Sequence, residues 1–155
     1  MARIKTLLGT FVAAGALLGL APPTAAAEPP EPFTITEHLD LNTEEEFTFT
    51  ATGALCPSGT FVDEIETFGG HPDTTGRFNL LIRTVYTCAD GSGSFFAQKL
   101  VPIEIVDEDT QINSGPITFH GGTGAYTTLR GHGVDIGRNE QGVIVGEISG
   151  ELKLR

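Results

Sequence analysis

The residues of this sequence able to do chemistry fall into three groups. His120 and His132 flank a glycine-rich stretch, 121–133, that also holds Tyr126 and Arg130. Folded tightly, that stretch could bring the two imidazoles together as a metal or acid–base pair. Their spacing matches no zinc pattern and no third ligand accompanies them, so they read as loop or surface histidines. Gly121-Gly122-Thr123-Gly124 has the glycine density of a phosphate cradle, but such cradles open a helix. Here two threonines and a prompt Gly131 follow instead of a helical stripe. The third group is Asp63, Glu64, Arg83 and Glu104, charges set among apolar strand positions. Turned inward, such a charge must be paired or must meet a polar ligand group. An inward carboxylate would also have a raised pKa and could act as a general acid. Turned outward, these charges belong to a solvated face. Arg83, Tyr86, Glu104 and His132 are the candidate ligand contacts; no catalytic residue, metal or cofactor is assigned.

These residues sit on strands. From Phe33 onward the hydrophobic period is two, with no run at helical spacing. Phe33, Ile35, Leu39 and Leu41 mark a first strand. Phe47, Phe49 and Ala51 alternate with threonines in a second. A third covers 60–68, with Phe61, Asp63 and Ile65 on one side. After a polar loop at 69–76, Phe78, Leu80, Ile82, Thr84 and Tyr86 share a face of the strand 77–88. Residues 89–93 make a hairpin connection. The run 95–106 is apolar on both faces and contains Pro102, which predicts an edge, a bulge or a break. A solvated loop at 107–115 lacks the alternating ligands of a calcium site. Ile117 and Phe119 mark a short strand, Val134 and Ile136 another, and 143–154 the last. About eight strands joined by hairpins predict an antiparallel barrel, in which closure removes exposed edges. A β-sandwich is the alternative.

The flanks and composition bound the setting. Arg3 and Lys5 precede an apolar run at 7–20, and Ala25-Ala26-Ala27 supplies a small-residue cleavage pattern. This predicts a secretory signal peptide over 1–27. An acidic, proline-rich tail over 28–32 and a single barrel domain over 33–155 would follow. Cleavage of 27 residues from 155 leaves 128, enough for one core. Without Arg3 and Lys5, seven basic residues face 20 acidic ones, a net charge near −13. Such a surface repels phosphate backbones and anionic lipid, so neither nucleic acid nor membrane is an expected partner. The expected location is extracellular. There Cys56 and Cys88, the two cysteines, would form a disulfide closing a loop of about 33 residues, worth roughly 3.7 kcal/mol.

Gly121-Gly122-Thr123-Gly124-Ala125-Tyr126, followed by Leu129-Arg130-Gly131, resembles a signature of the allene oxide cyclase and dirigent-like barrels, in a small secreted bacterial branch. The resemblance implies an eight-stranded antiparallel barrel with an apolar cavity, a trimer in some members. It also implies, for some, cyclisation or stereochemical guidance of hydrophobic small molecules. Gly121, Gly122, Gly124 and Gly131 match turn positions of the signature, together with Thr123. Tyr126 matches an aromatic packed at a barrel end, and Arg130 the arginine before a strand. The polar pocket residues of the enzymatic members have no matching positions here.

Three functions are therefore expected in order: binding of an apolar small molecule, a cyclase or isomerase acting on one, and a structural or protein-interaction module. The protein would be a monomer or homo-oligomer. The lumen decides among the functions. Polar residues converging in an open apolar cavity point to an enzyme, an apolar cavity to binding, and a filled lumen to the structural role.

Overall fold

A computed structural model describes residues 29–154. The expected signal peptide and its cleavage site lie outside the described residues. Eight strands follow one another: β1 (Glu31–Asp40), β2 (Phe47–Ala51), β3 (Ser58–His71), β4 (Arg77–Cys88), β5 (Ser94–Ile105), β6 (Thr110–Gly122), β7 (Arg130–Glu140) and β8 (Val143–Lys153). They form a closed antiparallel barrel in sequence order. Closure is made by β1 on β8, in register from Glu31–Leu152 to Asp40–Val143. No helix among the described residues is long and apolar enough to cross a membrane.

The barrel matches the expected class, and its departures from the expected boundaries have physical causes. β1 begins at Glu31 and takes in the last two residues of the expected tail. β3 continues to His71 as a ribbon on β4, with an extra residue between Ile65 and Thr67, so the loop at 69–76 shrinks to a four-residue helix, Pro72–Thr75. β6 begins at Thr110, inside the expected loop at 107–115. Its Gln111 and Asn113 look like loop residues but line the mouth of a cavity, where polar side chains meet water. β5 is not split at Pro102. Its ladder to β6 instead lapses between the Lys99–Ile117 and Ile103–Asn113 pairs, where proline has no N–H to give.

The two ends of the barrel differ. The end carrying the connections 52–57, 89–93 and 123–129 is packed solid. Phe33, Phe49, Phe95, Phe119, Tyr126 and Leu129 are buried there. Phe33 meets Phe119 edge-on at 5.1 Å between centroids, and Tyr86 stacks on Phe95 at 4.6 Å. The glycine-rich stretch closes this end: its 3-10 turn, Gly124–Tyr126, drops the Tyr126 ring to 5.3 Å from Phe95. Gly124 has φ +56°, and a Cβ there would lie 2.2 Å from the Ser92 carbonyl oxygen. Only glycine fits. The Cys56–Cys88 disulfide pins the 52–57 connection to the end of β4 beside the same core.

Candidate functional site

The opposite half of the lumen is hollow and holds buried charges. Alternation along each strand decides which side chains enter it. On β1 the inward series Phe33, Ile35, Leu39 includes Glu37. On β5 it is Phe95, Ala97, Lys99, Val101, and on β7 Asp135 lies between inward glycines. Glu37, Thr84, Lys99 and Asp135 are each no more than 5% exposed. Asp63 on β3 is half-buried.

At the centre the Lys99 ammonium donates to both oxygens of Glu37, at 2.5 and 2.7 Å. The Tyr86 hydroxyl donates to Glu37 Oε1 as well. β1 is thereby tied across the lumen to the adjacent pair β4 and β5. Lys99 also stands 5.5 Å above the Phe61 ring and 5.7 Å above that of Tyr86, so it caps the aromatic half. Room for Glu37 comes from its cross-strand partner Gly146, where a Cβ would press to 3.3 Å from Glu37 Oε2. Asp63 accepts from the hydroxyl of its cross-strand neighbour Thr84 at 2.5 Å.

The protonation states follow from these contacts. Burial pulls the Lys99 pKa down, but Glu37, Asp63 and Asp135 together outweigh it and leave it raised. Lys99 is therefore a cation. Burial and then the Glu37 carboxylate push Tyr86 well above its ordinary value, so it stays a phenol. Asp135 is pushed up to about 6, first by burial and then by Glu37 and Asp63, against the pull of Lys99. It accepts no hydrogen bond among the described residues, although its side chain lines the cavity.

The cavity above these groups has a volume of about 110 Å³. Leu39, Leu80, Ile82, Val101, Ile103 and Ile144 form its apolar wall, and Gln111, Asn113 and Asn139 its polar mouth. A larger hollow of about 870 Å³ lies over the outer surface of β4–β8. The charges lining it are all solvated, Arg77 paired with Glu104, Arg138 with the nearby Glu140, and Glu147 exposed, so the buried chemistry belongs to the lumen. No family model, characterised protein or solved structure matches the chain. The cavity must therefore be read from its own chemistry.

Of the expected ligand contacts, Tyr86 alone faces the lumen, and it lies beneath the cavity, holding Glu37. Arg83 points outward and pairs with Glu64 at 3.3 Å; Glu104 points outward and pairs with Arg77 at 2.8 Å. Both stand on the polar phase of their strands. His132 faces outward opposite Thr118, and His120 faces outward opposite Arg130, so the two histidines share the barrel's exterior. Among the described residues no cluster of histidine, cysteine and carboxylate side chains could hold a metal. Glu37, Lys99 and Asp135 were not among the expected contacts, yet all three line the cavity. For Glu37 the signal was available, because it continues the inward series Phe33, Ile35, Leu39. β5 is apolar on both faces and β7 turns its apolar residues outward, so Lys99 and Asp135 had no such mark.

Proposed function

We propose that this is an exported barrel whose open half binds an apolar small molecule. One observation carries the reading: a cavity with an aliphatic wall lies over a floor of buried, fixed charges. A barrel needed only as a structural module would gain stability by filling that volume with side chains, as its other half does. About 110 Å³ is of the order of the ~150 Å³ in which an apolar cavity accepts benzene. The ligand, or the part of it inside the barrel, is therefore ring-sized. The likeness of the 121–131 segment to allene oxide cyclase and dirigent-like barrels supports the same reading. The leader-like N-terminus and the disulfide support export.

Benzyl alcohol titrated against isotope-labelled protein tests the proposal. Expected are saturable shifts of the Ile82, Val101 and Ile144 methyl resonances, lost in Val101→Phe. Shifts confined to Ile136 and Val145 on the outer surface would overturn it.

A second reading, an acid-assisted isomerase or cyclase, is the one that polar residues converging in an apolar cavity were expected to signal, and five converge below this one. It ranks second because all but one are already bonded within the protein. Four of them are committed to each other or to Thr84. Asp135 is left to move a proton, and with a pKa near 6 it is suited to that work. Recovery of a native ligand in rearranged form, with Asp135→Asn abolishing the rearrangement, would establish this reading. Recovery unchanged would leave binding alone.

A further inference from the structure

The charges of the lumen narrow the ligand further. Three carboxylates, Glu37, Asp63 and Asp135, and one ammonium, Lys99, face the same space from β1, β3, β7 and β5. Lys99 is spent on Glu37, which it grips through both oxygens. Asp63 has the Thr84 hydroxyl. Asp135, 5% exposed and directed at the cavity, accepts no hydrogen bond among the described residues. Its strand neighbours bring it no donor: it lies opposite Gly115 on β6 and Ile148 on β8. Its oxygens open onto the cavity and are not sealed in protein, but a carboxylate this poorly solvated is costly, and a donor entering with the ligand would relieve that cost.

From this we infer that the cavity is built for a small apolar amine, whose ammonium group pairs with Asp135 while its hydrocarbon part lies against Leu80, Ile82, Val101 and Ile144. The inference rests on the apolar-ligand reading above and specifies its head group. Charge decides between the candidates. With Glu37 and Lys99 cancelling, Asp63 and Asp135 leave the floor negative. An anion would enter against that charge, a neutral donor would give Asp135 a hydrogen bond but leave its charge uncompensated, and a cation answers both. The acidic surface of the chain works in the same direction by concentrating cations around it. The amine should bind best where Asp135 is ionised. The charged groups facing Asp135 across the lumen are Lys99, Glu37 and Asp63, and burial with the two carboxylates places its titration near 6.

Three probes of one shape test the inference on the full chain: benzylamine, benzyl alcohol and benzoate, titrated by calorimetry at pH 8 and pH 5. Benzylamine is expected to bind at least about tenfold more tightly than benzyl alcohol at pH 8, as suits a charge-assisted hydrogen bond. Benzoate is expected not to bind. The amine's advantage should shrink at pH 5 and vanish at pH 8 in Asp135→Asn. If benzyl alcohol equals benzylamine, if benzoate binds best, or if Asp135→Asn keeps the preference, the amine assignment is overturned and the apolar-ligand reading survives. If none of the three binds, both fall. The comparison of probes on the unmodified chain stands even if the variant misfolds.

Discussion

Below Lys99 the barrel is packed with aromatic rings, and above it the same strands enclose a cavity. Both halves obey the same alternation, so strand geometry does not separate them. What separates them is the inward residue at each level. The packed half receives Phe33, Phe49, Phe61, Phe95 and Phe119. The open half receives Leu39, Asn113, Gly137 and Gly146, which are too small or too polar to meet in the middle. A barrel of this size becomes a container where its inward series turns from aromatic rings to aliphatic, small and polar residues. The buried ion pair marks the level of the change.

The largest loss is expected from removing the residue at the boundary. Lys99→Met leaves Glu37 buried without its cation, which should cost about 3–5 kcal/mol in denaturant unfolding. Because the loss is electrostatic, Glu37→Gln added to Lys99→Met should restore a large part of it. Phe95→Ala in the packed half should cost a similar amount, about 3–5 kcal/mol, for loss of contacts and a cavity. No charge change should repair that loss. If Glu37→Gln fails to rescue Lys99→Met, the two halves are held by the same force and the distinction is lost.

Next in size is the disulfide, which belongs to the packed end alone. Cys56→Ser with Cys88→Ser should lower stability by about 2–4 kcal/mol through the freed unfolded chain. Methyl resonances of Ile82, Val101 and Ile144 should keep their positions. Shifts there would mean that the open half depends on the packed end for its shape.

The packed half was the more legible in sequence. The phase of Phe33, Phe47, Phe49 and Tyr86 and the glycine-rich closing segment follow from period-two alternation and turn chemistry. The open half was obscured by its own composition. On β7 the apolar residues Val134 and Ile136 are 45% and 57% exposed, while Asp135 and the glycines point inward. A reading that assigns apolar residues to the core turns that strand over. Arg83 and Glu104 drew notice as charges near apolar residues, yet both lie on the outward phase. The useful question was which phase a charge occupies, and Glu37, Lys99 and Asp135 answer it the other way. What no single strand could disclose is that these side chains face one lumen, since β1, β5 and β7 do not pair with one another.

Asp135 gives the pH dependence. Its folded pKa of about 6 lies above the ordinary value of 3.8, so the folded state holds this proton more tightly than the unfolded chain. Stability from this group is present below pH 3.8 and is lost as pH rises through 6. About two units of difference correspond to roughly 2–3 kcal/mol. Asp135→Asn should therefore be more stable than the natural chain at pH 8, and the two should converge near pH 4, by thermal unfolding. A variant that is less stable at pH 8 would show that the carboxylate is satisfied in the empty barrel, against the unpaired floor.

The smallest effect sharpens the comparison at its edge. Thr84→Val keeps the shape of a fully buried side chain but removes the hydroxyl that Asp63 accepts at 2.5 Å. A hydrogen bond to a charged group ordinarily contributes about 1.5–3 kcal/mol. Asp63, however, is half-buried, and water from the open side can take the place of the hydroxyl. The loss should then stay near 1 kcal/mol, well below that of Lys99→Met, because Glu37 is 4% exposed and has much less access to water than Asp63. The ratio of the two losses therefore measures how far water penetrates the lumen. Equal losses would mean that Asp63 is as dry as Glu37, and that the cavity ends higher than its lining residues indicate.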